Sequence, residues 1–214
     1  MKLGHFSDLH GDLTSLLTST ETPDVWVCTG DFFPNAPRPI VPSEQVEYQT
    51  TWFHSHSAEL KARFAGKPVL FLGGNHDFVN LAELLTNSGY LTAHKVGMDG
   101  VTVDGVRFAG FPEIRYIKGE WKGEVTNTDL AVLVVELFGN PPDVLLTHAP
   151  PAGILDSVDD SYVGIGPLTS ALSYTPHNVR AHLFGHGHDQ GGQTTEEMGI
   201  RFYNGALHVR FIEV

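Results

Sequence analysis

Short apolar runs recur along the chain, each closing in a cluster of Gly, Asp or His, and between them apolar positions return at helical spacing. That alternation predicts an α/β architecture in which polar loops follow strands. Residues 2–7 and 24–29 read as buried strands, and Leu13, Leu16 and Leu17 supply one face of a short helix between them. Ser43 is expected to cap a longer helix reaching residue 65, with Val46, Phe53, Leu60 and Phe64 near one face and Gly66-Lys67-Pro68 as its stop. A third strand, 68–72, leads through Gly73-Gly74-Asn75-His76-Asp77 into a helix patterned on Phe78, Leu81, Ala82 and Leu85.

Antiparallel pairing enters in the second half, where residues 101–103 and 106–111 flank Asp104-Gly105, a two-residue turn of the kind hairpins prefer. A helix is predicted from near Thr128 to Phe138, and a strand over 143–146 that ends at Thr147-His148. The remainder reads mainly as β, over 181–184, 193–195, 200–203 and 207–212. Neither a repeat nor a linker interrupts the pattern, and a single domain over 1–214 is expected.

Composition narrows the function. Thirteen Lys and Arg stand against 25 Asp and Glu, and a formal charge of −12 repels a polyanion; with no basic run to reverse the field, a nucleic-acid partner is not expected. The one cysteine, Cys28, lies in the apolar segment Val25-Trp26-Val27-Cys28, where it is a core residue suited to a reducing compartment. The opening residues have no apolar h-region, and no run approaches the roughly 18 to 20 apolar residues of a membrane span. A cytoplasmic location without membrane contact is therefore the expectation.

The histidines carry the candidate chemistry. Asp8 and His10 stand two apart at the end of the first strand, where alternate side chains project to one side. Asp31 follows the second strand, Asn75 and His76 the third, and His148 a later one; His186 and His188 repeat the two-residue spacing between glycines. Carboxylate, amide oxygen and imidazole without a nearby thiolate suit Mn, Fe, Co, Ni or Zn rather than a Cys-bound structural zinc.

In this order, Asp8-x-His10, Gly30-Asp31, Gly74-Asn75-His76-Asp77, His148 and Gly185-His186-x-His188 resemble the motifs of the calcineurin-like metallophosphoesterase superfamily. The stretch from Leu145-Leu146-Thr147-His148 to Asp156, with Tyr203-Asn204-Gly205-Ala206, is most similar to the small branch of metallophosphoesterase-domain brain proteins and their bacterial relatives. The resemblance implies a four-layer α/β/β/α sandwich of two mixed sheets flanked by helices. It also implies two divalent metal ions, one held by Asp8, His10 and His188, the other by Asn75, His148 and His186, with Asp31 bridging. His76 is left facing the leaving group.

One departure matters. Phosphoprotein phosphatases continue the second motif as G-D-x-x-D-R-G, with the second acid orienting the catalytic histidine, whereas this chain has Gly30-Asp31-Phe32-Phe33-Pro34-Asn35. That subclass is disfavoured, and His76 is left without an identified orienting partner. Asp77 is read as a helix N-terminal acid.

The mechanism expected from the resemblance uses two ions about 3.5 to 4 Å apart to bind phosphate and activate water, a bridging hydroxide as nucleophile and His76 as general acid. The leading substrate is a small phosphodiester, with cyclic nucleotides as first candidates; phosphomonoesters and nucleotide pyrophosphates are the alternatives, ahead of a nuclease or a non-catalytic scaffold. Arg115 and Tyr116, in the cationic and aromatic segment 111–118, are the candidate substrate contacts.

Overall fold

In the second strand Val25, Trp26, Val27 and Cys28 are all buried, which requires cover on both faces of its sheet. The computed structural model, which describes residues 1–159 and 161–214, shows how that cover is built. The first half runs β1 (Lys2–Phe6), α1 (Thr14–Thr18), β2 (Val25–Cys28), α2 (Pro42–Phe64), β3 (Val69–Phe71), α3 (Leu81–Asn87) and β4 (Ala93–Lys95). Then come β5 (Val101–Val103), β6 (Val106–Phe111), β7 (Ile114–Arg115), β8 (Glu124–Val125), α4 (Asn127–Phe138) and β9 (Val144–Thr147). The chain ends with β10 (Ser157–Val158), β11 (Ser161–Tyr162), α5 (Gly166–Tyr174), β12 (Ala181–Phe184), a 3-10 turn (His188–Gln190), β13 (Thr194–Glu197), β14 (Ile200–Asn204) and β15 (Val209–Glu213).

One sheet has the order β15-β1-β2-β3-β4, parallel except for β15; the other has β13-β14-β12-β9-β6-β5, parallel at its centre with antiparallel strands at both edges. Side-chain alternation divides the apolar residues into layers. Leu3, Val25 and Val27 meet Val144, Leu146 and Leu183 between the sheets. Phe6, Trp26 and Cys28 face outward onto Phe53, Leu60 and Phe64 of α2 and Leu81 and Leu85 of α3. On the opposite outer face, Leu145, Phe184 and Phe202 pack against Leu130 and Val134 of α4 and Leu168 and Leu172 of α5. The expected four-layer α/β/β/α sandwich of two mixed sheets is thus present, and Cys28 is buried in it.

Several local expectations are corrected. Helix α2 begins with Pro42 in its first turn and no side-chain cap, so Ser43 is inside the helix; Pro supplies the helical φ and lacks the N–H that a cap would satisfy. Val46 is exposed, and the buried stripe of α2 instead includes Gln45 and Gln49. Phe78 precedes α3, which Asn80 caps through the Glu83 N–H. Helix α5 and strand β4 were hidden from the sequence pattern, the former because Pro167, two serines and one threonine dilute its apolar face, the latter because it is only Ala-His-Lys.

Candidate metal centre

Most of the site is built from loops at the C-terminal ends of parallel strands, where side chains from separate crossovers converge. The loops after β1 and β2 run side by side: Asp8 N–H donates to the Gly30 carbonyl at 2.8 Å and His10 N–H to the Asp31 carbonyl at 3.0 Å. Asp8, His10, Asp31 and His186 all have left-handed backbones, with φ of 55°, 45°, 50° and 61°. Non-glycine residues rarely adopt this conformation, and its concentration at four candidate ligands marks a site whose geometry the surrounding fold enforces. The convergence of Asp8 and His10 therefore comes from bent backbone beyond β1, not from strand alternation, which corrects the expected reason. Two glycines permit the close approach: a Cβ on Gly74 would overlap Asp31, and one on Gly185 would overlap Asp8 and Ser7.

Asp8, His10 and His188 present ligand atoms within 4.8 Å of one another, as do Asp8, Asp31, His148 and His186. His188 Nε2 lies 3.0 Å from Asp8 Oδ1, and Asp31 Oδ2 is 3.3 Å from His148 Nε2 and 3.9 Å from His10 Nε2. Asn75 joins through its Oδ1, 3.0 Å from His148 Nε2. His76 reaches the same place: its Nε2 is 3.9 Å from Asp31 Oδ2, and it forms a third cluster with His10 and Asp31.

These residues fit a cation. His148 Nδ1 is 2.8 Å from the Thr29 carbonyl, an acceptor only, so Nδ1 carries a proton and the neutral ring has its lone pair at Nε2. That lone pair faces two further acceptors, Asn75 Oδ1 and Asp31 Oδ2. Three acceptors converging require either a proton or a metal between them. Without metal the protein uses a proton: burial opposes it, but Asp31 pushes His148 up to about 10. Asp8 and Asp31 are both fully buried and, among the described residues, ion-pair with histidines and with no Lys or Arg. Burial would raise both carboxyls, yet the histidines hold both below the ordinary carboxylate range. His186 is pushed down to about 4 by burial and by His148, leaving it neutral and able to donate a lone pair.

Four supporting residues escaped the sequence reading. Asn35 Nδ2 sits 2.7 Å from His76 Nδ1, in the position for which no partner was identified. Asp77, read as a helix N-terminal acid, is instead fully buried and accepts N–H groups from Phe32, Phe33 and Gly74 at 2.9, 3.1 and 2.9 Å. It ties the second and third motif loops together, and burial and Asp31 push it up to about 7. Gln49, buried in α2, donates to the His76 carbonyl at 2.7 Å and accepts from Phe78 N–H at 2.8 Å. Its signal was a polar residue on an apolar helical stripe. Trp121 lays its ring on His76, with centroids 3.8 Å apart and planes inclined at 30°.

The structure does not bring Arg115 or Tyr116 into the cluster. Arg115 Nη1 donates to the Tyr162 carbonyl at 3.3 Å, and Tyr116 is exposed, near Gly119 of its own loop. A residue beyond that segment reaches the third motif loop instead: Lys122 N–H donates to the Asn75 backbone carbonyl at 3.2 Å and Lys122 Nζ to the Asp77 backbone carbonyl at 2.9 Å. A cavity of about 600 Å³ lies behind Gly73 and Gly74, lined also by Phe78, Lys95 and Glu113, but none of the candidate ligands lines it.

Comparison with known proteins shows the family and the fold. A family model described as calcineurin-like phosphoesterase matches residues 1–190. The UPF0046 protein K07C11.7 of Caenorhabditis elegans is 28% identical over 90% of this chain and 65% of its own length. Human metallophosphoesterase domain-containing protein 1 is 31% identical over 54% of this chain and 34% of its own. The chain thus spans less than two-thirds of either curated relative. Among solved structures, TT1561 of Thermus thermophilus superposes with a TM-score of 0.58 at 15% identity, covering 96% of this chain and 89% of that one. A dimetal phosphatase from Danio rerio does so with a TM-score of 0.58 at 14% identity, covering 99% and 91%. At such identities these two show the shared fold.

Proposed function

The chain belongs to the calcineurin-like phosphoesterase family, and from that premise we propose that it hydrolyses small phosphodiesters with two divalent metal ions and His76 as general acid. The observation that carries this reading is the acceptor-only convergence of His148 Nε2, Asn75 Oδ1 and Asp31 Oδ2, beside a second group of Asp8, His10 and His188. Asp8, His10 and His188 would hold one ion, Asn75, His148 and His186 the other, and Asp31, which contacts His10 and His148, would join them. Bound there, the ions would supply Lewis-acid polarisation of phosphoryl oxygens and a water of lowered pKa.

The chain's own residues do the rest. Asp8 and Asp31 bring two negative charges, against which two divalent ions would bring four positive ones and make the centre electropositive in an acidic protein. The diester stands first on the resemblance of residues 145–156 and 203–206 to the small metallophosphoesterase-domain branch, with phosphomonoesters and nucleotide pyrophosphates as the alternatives. His76 stands at the edge, its Nδ1 on Asn35 and its Nε2 turned toward Asp31, where it can give a proton to a departing alkoxide. Arg115 and Tyr116, both exposed, would offer outer contacts to a longer substrate.

The test is turnover of cyclic and linear phosphodiesters, phosphomonoesters and nucleotide pyrophosphates by protein reconstituted with Mn²⁺, Zn²⁺ or Fe²⁺. The expected result is metal-dependent hydrolysis with diesters ahead. Hydrolysis of monoesters or pyrophosphates alone would overturn the diester assignment, and no turnover with any metal would overturn the enzyme reading.

A further inference from the structure

Glu124 stands outside the family motifs, yet it is the hub of the loop that carries Trp121 onto His76. Its Oε2 accepts N–H groups from Ile117, Lys118 and Gly119 at 2.6, 2.8 and 2.8 Å, and its Oε1 accepts from Trp121 N–H at 2.9 Å. Four backbone donors on one carboxylate, each a charge-assisted hydrogen bond, fix the chain from 117 to 121 in one shape. Although partial desolvation opposes it, these donors bring Glu124 down to about 2, so the anion persists across the physiological range.

The shape has a direction. The loop is tied to the metal-binding side by Lys122, through the Asn75 and Asp77 carbonyls, and flanked by Arg38, whose guanidinium is 5.5 Å from the Trp121 ring and 3.0 Å from Glu120 Oε2. Between these anchors Trp121 projects onto the face of His76. Asn35 fixes one ring nitrogen of His76 and leaves rotation about that contact; an indole on the ring face removes the rotation and shields that face from water. His10 meets His76 edge-on at 4.9 Å. With its face and Nδ1 occupied, the ring keeps Nε2 as its working atom.

We infer that Glu124 is a positioning residue for His76, acting through the loop it organises and through Trp121 as the plate that sets the imidazole plane. The catalytic consequence rests on the proposed acid role of His76, but the positioning does not, and the two are tested separately.

Positioning is read in metal-free protein from the ring-proton NMR shifts of His76, which the indole ring current displaces. Trp121→Ala is expected to abolish that displacement, and Glu124→Gln, which offers one acceptor and an NH₂ where four N–H groups converge, is expected to do the same while Trp121 is still present. Activity is then read on metal-loaded protein. Glu124→Gln is expected to lower kcat on a ribose ester by roughly 10- to 10²-fold, the scale of a misplaced catalytic group, with a much smaller effect on a p-nitrophenyl ester and none in a His76→Ala background. Should Glu124→Gln fail to fold, Glu124→Asp, too short to span all four donors, is expected to shift the same signals by less. Unchanged His76 shifts in the Glu124 variants, or no ring-current displacement in the parent protein, would overturn the inference. Shifts that move without any leaving-group dependence would support the positioning and overturn the acid role on which its consequence rests.

Discussion

Asn35 Nδ2 lies 2.7 Å from Nδ1 of His76. With the amide placed so, Nδ1 accepts, and the proton of the neutral ring sits on Nε2, 3.9 Å from Asp31 Oδ2 and directed at the candidate centre. Pro34 stands where the phosphoprotein-phosphatase motif has its second acid, and the amide of the next residue is what meets His76. Asn35→Ala should free the ring while leaving the ligands intact. The expected loss in kcat on a ribose ester is roughly 10 to 10²-fold with metal content unchanged, as for other outer-sphere partners; a variant of normal kcat would remove Asn35 from the mechanism.

His76 itself should separate from the ligands by its dependence on the leaving group. An alkoxide needs a proton as its bond breaks, whereas p-nitrophenolate leaves unassisted. His76→Ala is expected to keep both metals and lose roughly 10² to 10⁴ in kcat on a ribose ester, with much less lost on a p-nitrophenyl ester. Equal losses with both metals retained would make His76 an electrostatic contact of the phosphoryl group. Loss of metal would make it a ligand, in keeping with its proximity to His10 and Asp31.

Asp77 holds two motif loops together through three backbone N–H groups. Asp77→Ala leaves those buried donors without their acceptor, at about 1 to 3 kcal/mol for each one that finds no replacement. Urea unfolding of the metal-free protein should show a loss of several kcal/mol. A loss below about 1 kcal/mol would mean that water or a shifted backbone satisfies the donors.

His182 gives a pH signature independent of the metal centre. It is fully buried against Phe184 and Phe202, with Nε2 2.8 Å from Thr147 Oγ1, and burial first, then the charge of His5, pushes it down to about 3 from an ordinary 6.5. Between those values the unfolded chain binds a proton that the folded protein refuses. Its contribution to stability is therefore complete above pH 6.5 and declines as pH falls toward 3. His182→Phe should reduce the slope of metal-free stability against pH by up to about 1.4 kcal/mol per unit in that window, read by urea unfolding at several pH values. His5, also pushed down to about 3, should keep a residual slope. An unchanged slope would show that His182 is protonated in the folded protein.

How much of this was legible in the sequence depends on how local the signal is. Strands such as Val25–Cys28 and Val144–Thr147 are continuous apolar runs, visible because both faces of each sheet are covered. The candidate ligands were visible because parallel strands end in loops on one side, and those loops carried the Asp, Asn and His. Helix α5 was not, since Gly166-Pro167 and its hydroxyl side chains imitate a turn region. Asn35, Gln49 and Trp121 act across 41, 27 and 45 residues of sequence, through contacts that only the folded chain makes. Asp77 misled because an acid ahead of a helix is common, whereas its burial against Phe32 and Phe33 depends on how two loops meet.

The catalytic roles proposed for the site depend on a two-ion centre joined by Asp31, and metal analysis of Mn²⁺-reconstituted protein decides whether that centre exists. The expected result is about two ions per chain for the parent protein and depletion of both in Asp31→Ala, whose carboxylate lies between His10 of one group and His148 of the other. Retention of two tightly bound ions by Asp31→Ala, or failure of the parent protein to hold more than one, would contradict it.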